Sequence, residues 1–554
     1  MKFGVKFGRI TARPVIPPEP KAAAGPSSAG RRPMETTPPK ADFVKWLRQQ
    51  PLPNSFDETV DFIRRAPVSF ETKEAILKNL LPVQNAQEED GGVVYIVLHY
   101  EGIGYHALDR SDYKEAFYEM ARQKYRVVTL VGPRRTGKSM GVVNALLDVR
   151  ADLAEAEGRG RDAAIFYHEA VLDLRHSQIK TLIAILAFLD IPIVCDEYVC
   201  AGSPGGEQLA LSIKAYLDDA VFGNIPIGPL GLILMGSEHG PIVRACQQSL
   251  NGMSHRGAAP SPVALPMPTY SQLWSIYARR QQMEAAVFDP AVFLRRVTCS
   301  GFNLADHVEG TSPTPEELLA RGLKSAILLP DEDQSHVQRL VEHGFIAPKP
   351  LSKHSLYEPL DARILAIQVL GQKDGSINRA EGKVLELILR SGEAIAFWKH
   401  RYNIQGEVVA FSGDFAYSKK EFTCEIDLLL FETLDGLTSA YFFSAKRLEE
   451  RQRFKESFTD HLSKFYVAGP VEARELLKIT TKVTFVAFSA VPHHHPFAVA
   501  NLGERMELEV GRETKTRLEF GCVTDRVLLG DMLQEIATRR NWEWKPVVLI
   551  QSVL

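Results

Sequence analysis

The chain has 554 residues, 45% hydrophobic and 24% charged, with a formal net charge of −3 at pH 7. So long a chain does not fold around one core, and its near-neutral balance excludes a protein that is basic throughout, so any nucleic-acid contact must come from a local patch. The 6 cysteines match no zinc or disulfide spacing, which predicts reduced thiols and an intracellular place, cytoplasmic or nuclear.

In chain order, residues 1–40 are rich in Pro, Ala, Gly and Ser and bury too little apolar surface to order themselves; they are read as a disordered leader. The basic start MKFGVKFGRITARP lacks the apolar centre of a signal peptide. No apolar run reaches the roughly 18–20 residues of a membrane span, so no membrane partner is expected. Residues 41–115 form an N-terminal, mostly helical region: ADFVKWLRQQ and FDETVDFIRR carry helical patterns, GVVYIVLHY reads as a strand, and SDYKEAFYEMARQKY as an amphipathic helix. Across 116–265 the apolar strands RVVTLV, AAIFYHEAV, IPIVCDEY and LGLILMGS alternate with helical stretches. That alternation predicts an α/β domain with a parallel sheet covered on both faces. Residues 266–325 read as Pro-bounded helices, and 326–372 as a helix, a Pro-Lys loop and a further helix. From 373 to 554 the pattern is one helix, three strands, a helix, another strand, and a closing strand and helix.

The stretch RVVTLVGPRRTGKSM runs from an apolar strand through a loop into a helix. Gly132-x4-Gly137-Lys138-Ser139 is a full Walker A pattern with both flanks in place. Glycines let backbone N–H groups converge on a phosphate at a helix N-terminus. Lys138 is expected to meet the β and γ phosphates, and Ser139 to take one Mg²⁺ position. The expected nucleotide stretch is Gly132, Pro133, Arg134, Arg135, Thr136, Gly137, Lys138, Ser139 and Met140, with Arg134 and Arg135 turned to solvent or a partner. The strand IPIVC delivers Asp196 and Glu197 at its end. Asp196 is the expected Mg²⁺ carboxylate and Glu197 the residue that orients water. A third strand ends in Gly236-Ser237, where a γ-phosphate sensor would lie, and Arg256 follows in NGMSHRG.

The order of these motifs resembles the archaeal-type ATPases of the STAND class of P-loop NTPases. The resemblance maps Ser237 onto the sensor and Arg256 onto the family's arginine, with His255 where the family has glycine; a plain surface arginine is the alternative at 256. It implies ATP and Mg²⁺ as ligands, a helical lid at 266–325, and a winged helix at 326–372 with Gly344-Phe345-Ile346 at the wing. A switch of this class also leaves room for a second copy of the chain or a protein trigger as partner.

In the C-terminal part, AEGKVLELILRSG carries Glu386 on a helix, FTCEIDLLLFE carries Glu425 and Asp427, and AYFFSAKRLEE ends a strand in Ser444-Ala445-Lys446. Adjacent strands can set Asp427 and Lys446 side by side at a sheet surface. Carboxylates with a lysine there suit metal-dependent phosphodiester cleavage: Glu386 and Asp427 hold Mg²⁺, and Lys446 orients water or neutralises charge. This order resembles the PD-(D/E)XK restriction-endonuclease-like fold, which archaeal-type ATPases and Crinkler-type effectors also carry. The resemblance implies nucleic acid as partner, DNA ahead of RNA. Ser444 stands where that fold has an acid. Either Glu425 or Glu386 completes the site, or the domain binds nucleic acid without cutting it. A glutamate placed at 444 would distinguish the two by restoring cleavage. Lys419, Lys420, Arg447, Arg451, Arg453 and Lys455 are candidate phosphate contacts or a solvated face, and His493–His495 reads as an exposed loop.

Overall fold

A computed structural model describes residues 40–82, 106–108, 111–132, 136–156, 164–168, 176–196, 230–236, 258–259, 262–283, 289–324, 346–348, 357–359, 361–416, 423–446, 453–491, 505–510, 516–540, 542 and 544–546. Residues 1–39 of the leader and the predicted strand at 92–100 lie outside them.

The strands are β1 (Leu80–Pro82), β2 (His106–Leu108), β3 (Val127–Val131), β4 (Ala164–His168), β5 (Ile193–Cys195), β6 (Leu232–Gly236), β7 (Val263–Ala264), β8 (Ile346–Pro348), β9 (Tyr357–Pro359), β10 (Glu407–Ala416), β11 (Thr423–Leu434), β12 (Leu437–Lys446), β13 (Thr480–Ser489), β14 (Arg505–Val510), β15 (Thr516–Leu528) and β16 (Trp544–Pro546). The first sheet has the order β1-β4-β5-β6-β3-β7. Strands β4, β5, β6, β3 and β7 run parallel, and β1 pairs with β4 antiparallel.

This sheet is apolar on both faces, as a parallel sheet covered by helices must be. One face, with Val127, Phe166, Ile193, Cys195, Leu232 and Leu234, packs on the helix His176–Phe188 and on the N-terminal helices Lys40–Gln49, Phe56–Arg65 and Phe70–Asn79. The other, with Val128, Leu130, Ile165, Val194, Ile233 and Met235, packs on the helices Ser111–Arg122 and Lys138–Ala156. The N-terminal helices therefore share the core of the nucleotide-type sheet.

The second sheet has the order β10-β11-β12-β13-β15-β14. β12, β13 and β15 are parallel to one another, and the other pairs are antiparallel. Its two faces bury different residues. Leu428, Leu430, Tyr441, Phe443, Ala445, Val486 and Phe488 lie in a core with the helices Ile377–Leu389, Gly392–Arg401 and Leu529–Arg540. Leu429, Phe431, Ala440, Phe442, Phe485 and Ala487 lie against the helices Arg453–Ala468 and Val471–Ile479.

The first of these cores also contains Tyr270, Leu273, Trp274, Tyr277, Phe293, Leu294, Val297 and Leu304. Residues Tyr270 to Leu304 of the segment expected as a lid thus pack into the core of the second sheet. Glu393 fixes it in place by accepting hydrogen bonds from Ser271 N at 2.9 Å and Ser271 Oγ at 2.5 Å. Trp274 Nε1 donates to Gln534 Oε1 at 3.1 Å. Where the wing was expected, β8 and β9 form a two-stranded antiparallel ribbon; the helix expected before it lies outside the described residues. Near the chain's end β16 pairs antiparallel with β2, ahead of the helix Ser111–Arg122. Among the described residues, no helix is long and apolar enough to cross a membrane.

Candidate functional site

The first site lies where β3 gives way to the helix Lys138–Ala156. Gly132 N donates to Gly236 O at 3.2 Å, so the loop leaves the sheet beside the end of β6. Gly137 has φ +75°, in the left-handed region that disfavours side chains. A Cβ built there would stand 2.5 Å from Leu304 Cδ1. Lys138 is buried, and its Nζ folds back to donate to Gly132 O at 3.2 Å. A buried ammonium at a helix N-terminus, in a loop whose turn excludes a Cβ, fits a phosphate group.

Asp196 follows β5 and is 2% exposed. Its Oδ2 accepts a hydrogen bond from the Ser139 hydroxyl. The same oxygen accepts from Tyr167 Oη at 2.8 Å. β6 lies between β5 and β3, so the carboxylate meets the loop across one intervening strand. Hydroxyl and carboxylate oxygens brought together at a strand end are the hard donor set that Mg²⁺ prefers. The residues present therefore fit a magnesium nucleotide. Met140 lies in the first turn of the helix, and Thr136 is buried. Pro133, Arg134, Arg135, Glu197, Ser237 and Arg256 lie outside the described residues. Tyr167 was missed by sequence reasoning. Its one signal is its place on β4, level with Val194 of β5 and two residues from Asp196 along that strand's direction.

The second site is on the C-terminal sheet. Oxygens of Glu386, Glu425 and Asp427 all lie within 4.8 Å of one another. A β-bulge brings them together. Phe411 pairs with Leu429, but Gly413 pairs with Ile426, so Asp427 and Leu428 together oppose Ser412. Beyond the bulge the alternation of β11 inverts: Cys424 and Ile426 join the core of Leu429 and Phe431. Glu425 and Asp427 then fall on the face of Leu428 and Leu430, under the helix Ile377–Leu389 that carries Glu386. Without the extra residue Asp427 would face away from Glu386.

Asp427 Oδ2 accepts from Ala445 N at 2.7 Å, which anchors it to β12. Lys383, one turn before Glu386, donates to Glu386 Oε2 at 3.2 Å and pairs with Glu425. Burial, then the charge of Asp427, hold the Glu386 carboxyl well above the usual carboxylate range, with Lys383 and Arg390 opposing the rise. Three carboxylates so close are stable together only with added positive charge or a shared proton. Their oxygens are the hard donors that Mg²⁺ or Mn²⁺ takes, so this site too fits a divalent cation.

The expected neighbour Lys446 is not among them. On β12, Tyr441, Phe443 and Ala445 face the carboxylate side, whereas Ala440 and Phe442 face the opposite core. Unbroken alternation puts Ser444 and Lys446 on that opposite face. The pairing with β13 agrees: Ser444 is level with Ala487, and Ala445 with Phe488. The Ser444 hydroxyl is buried without a hydrogen-bond partner. The side-by-side arrangement of Asp427 and Lys446 is therefore corrected, because the bulge inverts β11 alone. Of the candidate basic contacts, Lys419, Lys420, Arg447 and Arg451 lie outside the described residues, as does His493–His495.

No protein-family model matches the chain, and no curated protein matches its sequence. Comparison with solved structures returns a Walker-type ATPase of Pyrococcus abyssi, 14% identical over 49% of this chain and 99% of that one, with a TM-score of 0.31. The ORC2 protein of Aeropyrum pernix, in ADPNP–ADP complexes, is 13% identical over 52% of this chain and 96% of its own, with a TM-score of 0.29. Trip13 from Rhizobiales is 15% identical over 43% and 80%, with a TM-score of 0.22.

Proposed function

We propose that this chain is a P-loop ATPase whose nucleotide state governs a C-terminal carboxylate site acting on nucleic acid. The observation that carries the first part is the meeting of Ser139 and Asp196 beside the folded-back Lys138. Lys138 exchanges its bond to Gly132 O for phosphate oxygens, and the loop's backbone N–H groups add their dipoles. Ser139 and Asp196 are the residues that hold Mg²⁺, which when bound offsets the phosphate charge. Tyr167 keeps the Asp196 carboxylate turned toward the loop. In this reading Glu197 orients the attacking water, while Ser237 and Arg256 sense the γ-phosphate. The motif order supports membership of the STAND class.

The second part rests on Glu386, Glu425 and Asp427 converging on one face. A divalent cation there supplies a Lewis acid for a phosphodiester. The carboxylates position it, and the PD-(D/E)XK-like order of elements supports DNA as the polymer. A second reading, a nucleotide switch whose nuclease-like domain binds without cutting, is favoured by the placement of Ser444 and Lys446 on the far face.

The test combines two assays on the full chain. Lys138→Ala is expected to lower ATP affinity by roughly a hundredfold, since a buried charge-assisted contact is lost. Unchanged binding by calorimetry would remove the nucleotide site. Cleavage of single- and double-stranded DNA and RNA with Mg²⁺, under ATP, ADP or neither, is expected to depend on Asp427 and to change with nucleotide. Cleavage surviving Asp427→Ala removes the C-terminal assignment, and binding without cleavage selects the second reading.

A further inference from the structure

We propose that Lys383 is the cationic group of the C-terminal site in place of Lys446, and that it occupies the carboxylate cluster until a divalent cation displaces it. The inference rests on reading Glu386, Glu425 and Asp427 as a cation site. Lys383 and Glu386 are three residues apart on the helix Ile377–Leu389, so both project toward the same strand. The ammonium donates to Glu386 Oε2 at 3.2 Å and pairs with Glu425 on β11, bridging two elements. Asp427 is held separately by Ala445 N.

Those lysine contacts use carboxylate oxygens that a metal would need. Lys383 and the metal therefore compete for Glu386 and Glu425. A divalent ion brings twice the charge and wins where it is abundant. The lysine is 29% exposed, so its flexible stem has solvent beside it and room to swing out. Once displaced, it stays tethered one turn from the cation, where a phosphate of the polymer would lie. Lys446 has no such relation to the cluster, because its strand turns it to the other face. The helix Ile377–Leu389 thus supplies both a ligand and the cation that keeps the ligands assembled when no metal is present.

The experiment is Mn²⁺ titration by calorimetry at pH 8, in the full chain carrying Asp196→Asn so that the first site does not compete. Lys383→Met and Lys383→Gln are expected to bind Mn²⁺ roughly tenfold or more tighter, because a competing positive charge is gone. Lys383→Arg is expected to stay near the affinity of its parent. Without metal, the Met and Gln variants are expected to melt at lower temperature than the parent, and Mn²⁺ is expected to restore them. Unchanged or weaker Mn²⁺ binding in folded Lys383→Met and Lys383→Gln overturns the proposal. Absence of binding in every variant removes the cation site and the proposal with it. Tight Mn²⁺ binding with the expected lysine effect, but no cleavage of any nucleic acid, upholds the proposal and removes the nuclease reading alone.

Discussion

Gly137 and Ser444 carry the sharpest constraints of single residues. Gly137 needs a positive φ and leaves no room for a Cβ beside Leu304. Gly137→Ala is expected to cost about 1–3 kcal/mol of stability and to weaken ATP binding, both readable by urea unfolding and calorimetry. Wild-type values in both would show that the loop adapts. Ser444 is 1% exposed and lies against the apolar core of Phe442 and Ala487. A glutamate there buries a charge with no partner. Ser444→Glu is therefore expected to destabilise the C-terminal fold by several kcal/mol, on the order of 3 or more. It does not complete the carboxylate cluster. A folded Ser444→Glu protein with raised cleavage would show that β12 presents residue 444 to the cluster after all.

At the scale of elements, the short helix Leu304–Glu309 joins the two parts of the molecule. Leu304 at its start touches the P-loop, and His307 on the same helix is fully buried. His307 Nε2 bonds Gly301 O at 2.9 Å. Burial, with Arg296 and Arg363 adding to it, lowers the His307 pKa from 6.5 to about 4. The folded protein thus holds the neutral ring, while the unfolded chain takes up a proton near 6.5. The stabilisation is complete above that value and is lost as pH falls from 6.5 toward 4. The loss amounts to roughly 3 kcal/mol if the whole shift is expressed. Urea unfolding at pH 7.5, 5.5 and 4.5 checks this against His307→Gln, for which the slope should be flatter. Parallel slopes in the two proteins would place the acid sensitivity elsewhere.

Across the whole molecule, packing divides the chain differently from its composition. The helices from Lys40 to Asn79 belong with the first sheet, and those from Tyr270 to Glu309 with the second. Trp274 sits at the second junction, edge-on to Phe293 and bonded to Gln534. Trp274→Ala is expected to cost about 3–5 kcal/mol. Hydrogen exchange should then rise together in 270–309 and 377–540 while the first sheet keeps its protection. If only 270–309 opened, those helices would be an independent lid. In the packing seen, the lid-like helices are part of the C-terminal fold and rest on the P-loop through Leu304. From the loop at Gly137 the packed helices lead on to the helix Ile377–Leu389, where Arg295 pairs with the buried Glu381.

What the sequence determined by itself is local. Glycine and lysine spacing marked the phosphate loop, and an apolar strand ending in an acid marked Asp196, because loop, strand end and helix start are written in consecutive residues. The parallel sheet was legible in the same way, from apolar runs alternating with helical ones. Tertiary structure decided which distant side chains meet. Tyr167 reaches Asp196 because β4 and β5 are neighbours, which no spacing along the chain declares. Strict alternation from Leu428 and Leu430 would have sent Asp427 to the wrong face, the one that carries Ser444 and Lys446. One extra residue in β11 inverts a period of two, gathers Asp427 with Glu386 and Glu425, and leaves Lys383 as the cation beside them.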